Sequence, residues 1–439
     1  MQNPSRSLSK YEPNISAHDS LEEFMGCADL DSGLHVIPHS DSLFTEILYD
    51  NRNAPTTIVF FNGAGFASSA TRPGFTGTSM MKSVSGDDVN RIYIHDATLY
   101  HDPSNSLTWY AGCSELQLQR ILPEIIGKFL TVSESQRTIF FGVSGGAYAA
   151  LYYSTHFPGS LVLATNPQTI LPKYHGWEFA KFSRTCWGSA EALSIESAKA
   201  KFAADLTEIY SAPVDNYVYY LNNASDTHHV DEHLRPFARR LHKDNHVQVL
   251  IRNWGEGLVA PVPDIFLDVI RRVVGDAAWS NMAALPGSIP LKDESSVEAS
   301  LSEASEEERF ELIEDPLPLT AFPLETRFPK VAEGTLVIKS DFTVSGDVAS
   351  NAFMVSLWIE PSNESLDLLL KQSNSIRRSN DSSIGFFVLL PIKEGENTVA
   401  HKVYIPQGCP VSGFSIRHYG KSEASGHVEI KKLAVHLLD

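Results

Sequence analysis

The sequence predicts a two-domain protein in which a mostly parallel β-sheet with helices on both faces is followed by an antiparallel β-sandwich. Three observations predict this fold. Apolar strand-like runs alternate with helical patterns across residues 34–275, which is typical of a doubly wound α/β sheet. A Gly-x-Ser-x-Gly turn joins one such strand to one such helix. From Gly334 to Asp439, short alternating runs recur between turn residues, as in a sandwich of the jelly-roll kind.

The length and the charge of the chain restrict the classes of protein to which it can belong. The chain has 439 residues, enough for two or three domains, and its hydrophobic content of 43% indicates a sizeable core. The formal net charge of −18 disfavours nucleic acid and anionic membrane surfaces as partners. No apolar run reaches 18 residues and the N-terminus lacks a signal-peptide pattern. We therefore expect no membrane span and a cytoplasmic location.

The cysteines are too scattered to indicate a disulfide framework or a zinc site. There are four of them, without a Cys-x-x-Cys pair: Cys27, Cys113, Cys186 and Cys409. Reduced thiols fit the expected cytoplasmic location. The glycine patterns of dinucleotide-binding and P-loop proteins are absent as well. We therefore expect no cofactor and no metal.

Shifts in composition predict the domain boundaries. Lys292–Asp315 contains ten Asp or Glu against two Lys or Arg, which is typical of a solvated linker. A helical insertion follows the strand after the Gly-x-Ser-x-Gly turn, and it would either cap a pocket or add a helical layer. The predicted segments are a peripheral N-terminus (1–33), an α/β domain (34–278) with the insertion (about 167–213), an acidic Ser- and Pro-rich linker (279–325) and the sandwich (326–439).

Arg137–Phe157 carries the most specific motif in the chain. An apolar strand runs into Gly142-Val143-Ser144-Gly145-Gly146, and a helical pattern follows directly. Strand, Gly-x-Ser-x-Gly and helix form the layout of a nucleophile elbow, in which a strained turn exposes the serine hydroxyl. Glycine at positions 142 and 146 removes the Cβ atoms that would clash where strand and helix meet. The alternative is an ordinary glycine-rich turn.

Backbone donors for a developing oxyanion are predicted at two places. Gly145 follows the serine at the start of a helix, where its N–H is free to bind an anion. The apolar strand Thr56–Phe61 ends in a Gly-rich loop, and its Gly63 or Ala64 would supply the second N–H. An ordinary tight turn is an equally good explanation of this loop.

An acyl-transfer serine also needs an acid and a base. Asp226 follows the strand Asn216–Leu221, where the acid belongs, although the same position suits a helix N-cap. The base is expected after the strand Val247–Ile251, but Leu258 occupies the matching position. Leucine cannot accept a proton, so this position cannot activate Ser144.

Histidines near the acid offer another base. No histidine occurs between His246 and His401, whereas His229 lies three residues after Asp226. His229 is therefore the candidate base. The alternative is that His228 and His229 are a polar pair that caps a helix.

At these residues, the segment 34–275 resembles the α/β-hydrolase family in its serine-esterase branch. Phe141–Ala150, with Asn166-Pro167-Gln168 and Asp226–His229, is similar to hydrolase-like proteins of bacterial surface-glycan and accessory secretion systems. This resemblance implies an acyl or acetyl ester of a glycan or glycoconjugate as substrate. The C-terminal sandwich resembles carbohydrate-binding modules at fold level, and it is the candidate surface for a protein partner.

Two hypotheses follow. The first is a serine esterase or acyltransferase acting on a glycan or glycoconjugate, with Ser144 as nucleophile, Asp226 as acid and His229 as base. The second is a catalytically inactive α/β-hydrolase-like module that serves as a glycan-binding or assembly factor, because Leu258 stands where the histidine is expected.

Overall fold

A ten-stranded mixed sheet organises the first of the two units into which the chain divides. The computed structural model describes residues 5–64, 71–81, 89–102, 104–254 and 288–305, a few positions between 266 and 279, and the strands with some flanking residues between 308 and 438. The first unit takes in Met1–Ala260 and Arg271–Leu301, and the second takes in Pro261–Ile270 and Ser302–Asp439.

The strands of the first unit are mostly short and apolar. In chain order they are β1 (Ser5–Arg6), β2 (Ile15–Ala17), β3 (Gly33–Pro38), β4 (Phe44–Asp50), β5 (Thr56–Phe61), β6 (Thr71–Arg72), β7 (Asn90–Ile94), β8 (Arg137–Val143), β9 (Ser160–Thr165), β10 (Asn216–Asn223), β11 (His246–Arg252) and β12 (Ile289–Pro290). Every residue of β5, β7 and β9 is buried, which explains their nearly continuous apolar sequences.

The strand order places the Gly-x-Ser-x-Gly turn near the middle of the sheet. The order is β12-β11-β10-β9-β8-β5-β7-β4-β3-β2, while β1 pairs with β6 in a separate two-stranded sheet. The neighbours from β7 to β11 are parallel to one another, whereas β4 is antiparallel to both β3 and β7. The predicted mostly parallel α/β sheet is confirmed.

Helices connect these strands. They are α1 (Leu21–Gly26), α2 (Thr78–Met81), α3 (Leu118–Val132), α4 (Gly145–Ser154), α5 (Gly176–Trp187), α6 (Ile195–Lys199), α7 (Leu206–Ile209), α8 (Thr227–His229), α9 (Arg235–Arg240) and α10 (Glu294–Ser305). A π-helical segment, Val230–Leu234, joins α8 to α9. Helices α5, α6 and α7 lie within the predicted insertion. Among the described residues, no helix has the length and apolar character needed to cross a bilayer.

Two predicted surface segments contribute to the sheet. In the segment predicted as a peripheral N-terminus, β2 pairs in parallel with β3 at the sheet edge. In the segment predicted as a linker, β12 pairs with β11 and α10 follows. Leu291 and Val297 are buried there, so their apolar side chains hold part of this acidic stretch against the first unit. Residues 289–305 are therefore folded, which corrects the expectation of a solvated linker for this part.

The second unit is built from antiparallel strands. They are β13 (Glu308–Ile313), β14 (Leu324–Ala332), β15 (Gly334–Ser345), β16 (Ala352–Ile359), β17 (Arg377–Arg378), β18 (Phe386–Pro391), β19 (Gly395–Ile405), β20 (Val411–Tyr419) and β21 (His427–Leu438). One sheet has the order β13-β21-β15-β19 and the other β14-β20-β16-β18-β17. The predicted antiparallel character is confirmed, and the packing of the two sheets into a sandwich stays a prediction.

Candidate functional site

Ser144 occupies a sharp turn between the end of β8 and the start of α4. Its backbone has φ +56° and ψ −122°, a conformation that a residue with a side chain adopts only when its surroundings enforce it. One such constraint is the 2.8 Å hydrogen bond from the Ser144 N–H to the carbonyl oxygen of Thr165 on the neighbouring strand β9. The turn therefore has the geometry of a nucleophile elbow.

The glycines of the motif are required by close backbone packing. A Cβ atom on Gly142 would lie 2.1 Å from the carbonyl oxygen of Gly146. A Cβ atom on Gly146 would lie 2.5 Å from the carbonyl oxygen of Phe61. Because backbone atoms at such distances cannot be moved aside locally, both positions exclude any larger residue.

The loop after β5 lies directly against the elbow. A Cβ atom on Gly63 would lie 2.8 Å from the carbonyl oxygen of Val143 and 3.8 Å from the Ser144 Cβ. Gly145 is the first residue of α4, so its N–H has no partner within the helix. Gly63 therefore lies close to Ser144, Gly145 follows Ser144 in the chain, and Ala64 follows Gly63.

Asn62 anchors this loop through both its backbone and its side chain. Its N–H donates to the Tyr110 hydroxyl at 2.6 Å. Its side-chain amide accepts from the Thr76 N–H at 2.7 Å and donates to the Gly74 carbonyl oxygen at 2.6 Å. These three hydrogen bonds fix Asn62, the residue directly before Gly63 and Ala64. The oxyanion role of Gly63 or Ala64 stays a prediction.

The Ser144 hydroxyl has a partner that the sequence did not predict. The side-chain amide of Gln168 donates a 2.8 Å hydrogen bond to Ser144 Oγ. Gln168 is fully buried, and its own carbonyl oxygen accepts a hydrogen bond from the indole N–H of Trp109. Ser144, Gln168 and Trp109 therefore form one buried hydrogen-bonded chain.

A buried carboxylate holds the loop that presents Trp109. Asp96 accepts hydrogen bonds from the Thr108 hydroxyl at 2.6 Å and from the Tyr110 N–H at 2.7 Å. Trp109 and Tyr110 both have positive φ, of 52° and 55°. Burial raises the pKa of Asp96, and the hydrogen bonds that it accepts oppose this rise.

Asp226 and His229 form a pair on α8. Oδ2 of Asp226 lies 2.8 Å from Nδ1 of His229, and Oδ1 accepts from the His229 N–H at 3.1 Å. Asp226 thus caps the helix, as one interpretation of the sequence predicted, and it also lies against the imidazole of His229. Its role as the catalytic acid stays a prediction. Burial disfavours its ionisation, but the hydrogen bond and charge of His229 outweigh burial, and the pKa of Asp226 is lowered.

Tyr174 connects this pair to the Ser144 chain. The ring of Tyr174 lies 6.0 Å from that of Trp109 and 5.9 Å from that of His229, measured between centroids. Nε2 of His229 is buried and has no hydrogen-bond partner among the residues that the structure describes. Ring contacts through Tyr174 thus link His229 to Trp109, while no hydrogen bond joins the His229 imidazole to the Ser144 hydroxyl.

The rings of His228 and His233 lie next to that of His229, and His175 contacts His228. The ring of His175 stacks on that of His228 at 4.7 Å, and the ring of His233 lies 5.3 Å from that of His229. Burial and the neighbouring imidazoles hold the pKa of His233 well below its usual value. Among these side chains, no three ligand atoms lie within 4.8 Å of one another, so they do not converge as a metal centre would.

Sequence reasoning missed Gln168, Trp109 and Tyr174. A signal existed for Gln168, because it comes three residues after the end of β9, next to the elbow strand, and ligands of parallel sheets bind at the carboxyl ends of strands. Trp109 and Tyr174 had no such signal, since each lies in a loop. Leu258, the residue at the expected histidine position, lies outside the described residues.

The folded chain is similar to several solved α/β structures. One is the capsule O-acetyltransferase of Neisseria meningitidis serogroup A, with 13% identity, coverage of 57% of this chain and 97% of that chain, and a TM-score of 0.42. Another is an esterase from Pyrococcus furiosus, with 13% identity, coverage of 63% and 95%, and a TM-score of 0.35. A third is the glycosylation-associated Gap123 complex from Streptococcus agalactiae, with 18% identity, coverage of 54% and 45%, and a TM-score of 0.36.

No protein-family model matches the chain, and no curated protein matches it by sequence. The ten-stranded mixed sheet of the first unit, with helices between its strands and a serine turn after β8, fits the α/β-hydrolase fold.

Proposed function

We propose that the first unit is a serine hydrolase that performs acyl-ester chemistry, either as an esterase or as an acyltransferase. The observation that carries the proposal is the backbone of Ser144, whose φ of +56° lies in a turn so closely packed that neither Gly142 nor Gly146 leaves room for a Cβ atom. Strain of this kind is kept where the placement of one side chain matters, and here that side chain is a buried hydroxyl next to the N–H of Gly145 at the start of α4.

The reaction begins with attack of Ser144 Oγ on the ester carbonyl carbon. As the new C–O bond forms, the hydroxyl proton passes to the base, and the carbonyl oxygen takes up negative charge facing the N–H groups of Gly145 and Gly63 or Ala64. The bond to the leaving alcohol then breaks, and the alcohol takes the proton from the base. Water or an acceptor hydroxyl finally attacks the acyl-serine, and Ser144 regains its proton.

His229 is the proposed base, with Asp226 as its partner. Nδ1 faces the carboxylate at 2.8 Å, which leaves Nε2 as the nitrogen available to accept a proton. Neither ring nitrogen of His229 makes a hydrogen bond of good geometry to the described residues, so Nε2 has unused hydrogen-bonding capacity, and Nδ1 is placed at Asp226 by proximity alone. Catalytic hydrogen bonds are often long or incomplete before substrate binds, and closure of the Ser144–His229 gap on binding is part of the proposal.

Gln168 is compatible with this role for Ser144. Its amide donates to Oγ, so it occupies a lone pair of the oxygen and leaves the hydroxyl proton free for transfer. An amide cannot accept that proton as a general base does. Gln168 is therefore proposed as a positioning residue.

We further propose that the acyl group belongs to a glycan or glycoconjugate, and that the second unit is a sandwich that binds carbohydrate or a protein partner. The sequence resemblance is the support for both. We also retain the cytoplasmic location as a proposal. The competing function, an inactive glycan-binding or assembly module, is distinguished from an enzyme by the reactivity of Ser144.

A fluorophosphonate probe tests the chemistry directly, because it labels only an activated serine. We expect the full chain to be labelled at Ser144, to release p-nitrophenol from p-nitrophenyl acetate, and to lose both properties in Ser144→Ala. Ser160→Ala is the matched control, because Ser160 is also a buried serine but lies away from the elbow. It is the first residue of β9, whereas Thr165, which binds the Ser144 N–H, is the last. Folded wild-type protein that stays unlabelled would support the inactive module instead.

A further inference from the structure

A cluster of metal-ligating side chains lies in the N-terminal segment: His18 comes before α1, Glu23 lies within it, and Cys27 directly follows its end. Nδ1 of His18 lies 2.8 Å from Oε2 of Glu23, and Sγ of Cys27 lies 3.4 Å from Oε1 of Glu23 and 4.0 Å from Nδ1 of His18. Elsewhere in the described part of the chain, no set of three His, Cys, Asp or Glu side chains brings its ligand atoms as close together. We propose that His18, Glu23 and Cys27 bind a zinc ion.

A hydrogen-bond relay fixes which nitrogen of His18 is free to bind a metal. Nε2 of His35 lies 2.8 Å from the carbonyl oxygen of Asp31, which can only accept, so this nitrogen carries a proton. Neutral His35 then accepts at Nδ1, which lies 3.1 Å from Nε2 of His18. Nε2 of His18 is consequently the protonated nitrogen, and its Nδ1 presents a lone pair to Glu23.

His18 and Glu23 are also placed to share one positive charge. Nδ1 of His18 and Oε2 of Glu23 lie 2.8 Å apart, a distance that fits either a proton held between them, as in an ion pair, or a divalent cation bound by both. Because Sγ of Cys27 lies against the same two groups, a cation with affinity for sulfur satisfies all three at once.

The donor set selects the metal. One imidazole nitrogen, one carboxylate oxygen and one thiolate sulfur suit zinc, whereas magnesium and calcium prefer oxygen ligands throughout. The relay from His18 to His35 is the kind of outer hydrogen bond that orients a histidine ligand on zinc. The side chain of Glu23 is 45% exposed, so water can reach the fourth position of a tetrahedral ion.

The sequence alone did not predict this site. Its spacing, His-x4-Glu-x3-Cys, is not a usual zinc pattern, and His35 comes from strand β3. Bound zinc would tie α1 to the chain before it. That chain includes β2, the edge strand that pairs with β3, so the metal would stabilise the edge of the sheet.

The test uses tag-free, full-length protein prepared metal-free with a chelator, with Zn²⁺ and Co²⁺ as probes. Calorimetric titration is expected to show one equivalent of Zn²⁺ bound per chain. Co²⁺ is expected to give an intense near-ultraviolet absorption from charge transfer out of a thiolate. Cys27→Ser is expected to remove that absorption, and Cys27→Ser, Glu23→Gln and His18→Gln are each expected to weaken Zn²⁺ binding at least tenfold.

Matched variants control for general effects on the surface. Glu22 lies beside Glu23 on α1 and is exposed, so Glu22→Gln should leave Zn²⁺ affinity within twofold of wild type. A second measurement needs only wild-type protein, so it tests the site even if a variant fails to fold. One equivalent of Zn²⁺ should slow alkylation of Cys27 at least tenfold, while the buried thiols of Cys113 and Cys186 serve as internal references.

Three results would overturn the proposal. They are no Zn²⁺ binding at micromolar concentration, a Co²⁺ complex without thiolate absorption, and alkylation of Cys27 at the same rate with and without Zn²⁺. Retention of wild-type affinity by folded Cys27→Ser would also exclude the site. Each readout is independent of the reactivity of Ser144.

Discussion

The side-chain amide of Gln168 donates a 2.8 Å hydrogen bond to the hydroxyl oxygen of Ser144. The oxygen of the same amide is held by the indole N–H of Trp109, so the amide cannot be turned over without losing both contacts. The nucleophile proposed here is thus oriented from the side of the helical insertion, in addition to the strained turn that carries it.

Loss of this amide should slow the reaction of Ser144 without unfolding the protein. We expect Gln168→Leu to lower the rate of fluorophosphonate labelling about tenfold, which corresponds to about 1.4 kcal/mol, the size of a typical side-chain hydrogen bond. Trp109→Phe should cost less, about threefold, because the ring still packs on Phe182 at 5.4 Å while the N–H is lost. Labelling rates, with thermal melts as a fold control, measure both effects. Faster labelling of Gln168→Leu would contradict positioning and indicate that the amide blocks the serine.

The proposed base can be separated from its neighbour in sequence. If His229 accepts the serine proton, His229→Gln should reduce the labelling rate by on the order of three decades, as loss of a base does in serine hydrolases. His228→Gln should change it less than threefold, because His228 stacks on His175 rather than facing Asp226. Labelling kinetics of the two variants, compared in parallel, measure the difference. Equal effects in the two variants would assign both histidines to the structure and not to catalysis.

Features formed by residues that are close together in the sequence could be predicted, whereas contacts between distant residues could not. The elbow was predictable because strand, glycines and helix lie within about twenty residues, and the clashes at Gly142 and Gly146 are local. The contact of Gln168 with Ser144 joins residues 24 positions apart, and that of Tyr174 with His229 joins residues 55 positions apart. No local pattern records such contacts, because tertiary packing alone creates them.

The edge strands were missed for a different reason. β2 has three residues and β12 has two, too few to show the alternation that identifies a strand. Acidic composition also favoured the linker interpretation around β12 and α10, although buried Leu291 and Val297 hold that stretch in place. Composition averages over a window, so a few apolar anchors within a charged segment go unnoticed.

A buried histidine should make the first unit sensitive to mild acid. Burial, together with the charge of Arg72, lowers the pKa of His95 to about 3. The unfolded chain binds a proton at this residue below about pH 6.5, whereas the folded chain does not until about pH 3, so stability falls as the pH drops through that window. Between pH 7 and pH 5 this one residue should cost about 2 kcal/mol.

The measurement is the free energy of unfolding in urea at pH 7 and pH 5. His95→Phe retains an aromatic ring beside Tyr100 and cannot titrate, so its loss of stability on acidification should be smaller than that of wild type by about 2 kcal/mol. His246→Phe lies at an exposed position on β11, and it should lose as much stability between pH 7 and pH 5 as wild type does. An identical pH dependence in His95→Phe and wild type would show that His95 is not the residue responsible.

Two glycine-to-alanine substitutions test whether the elbow needs its glycines for geometry. A Cβ atom on Gly146 would lie 2.5 Å from the Phe61 carbonyl oxygen and 2.9 Å from that of Asn62, the residue that begins the proposed oxyanion loop. Gly146→Ala should therefore push that loop away from Ser144 and abolish labelling, with a loss of stability of several kcal/mol. In Gly127→Ala, within helix α3, the new Cβ would meet only the Phe157 ring, at 3.9 Å, so stability should rise by about 0.5–1 kcal/mol with labelling unchanged. Urea unfolding measures the change in stability of both variants, and probe labelling measures the reactivity of Ser144. Normal labelling of Gly146→Ala would mean that the tight contact between the elbow and the oxyanion loop is not needed for reactivity.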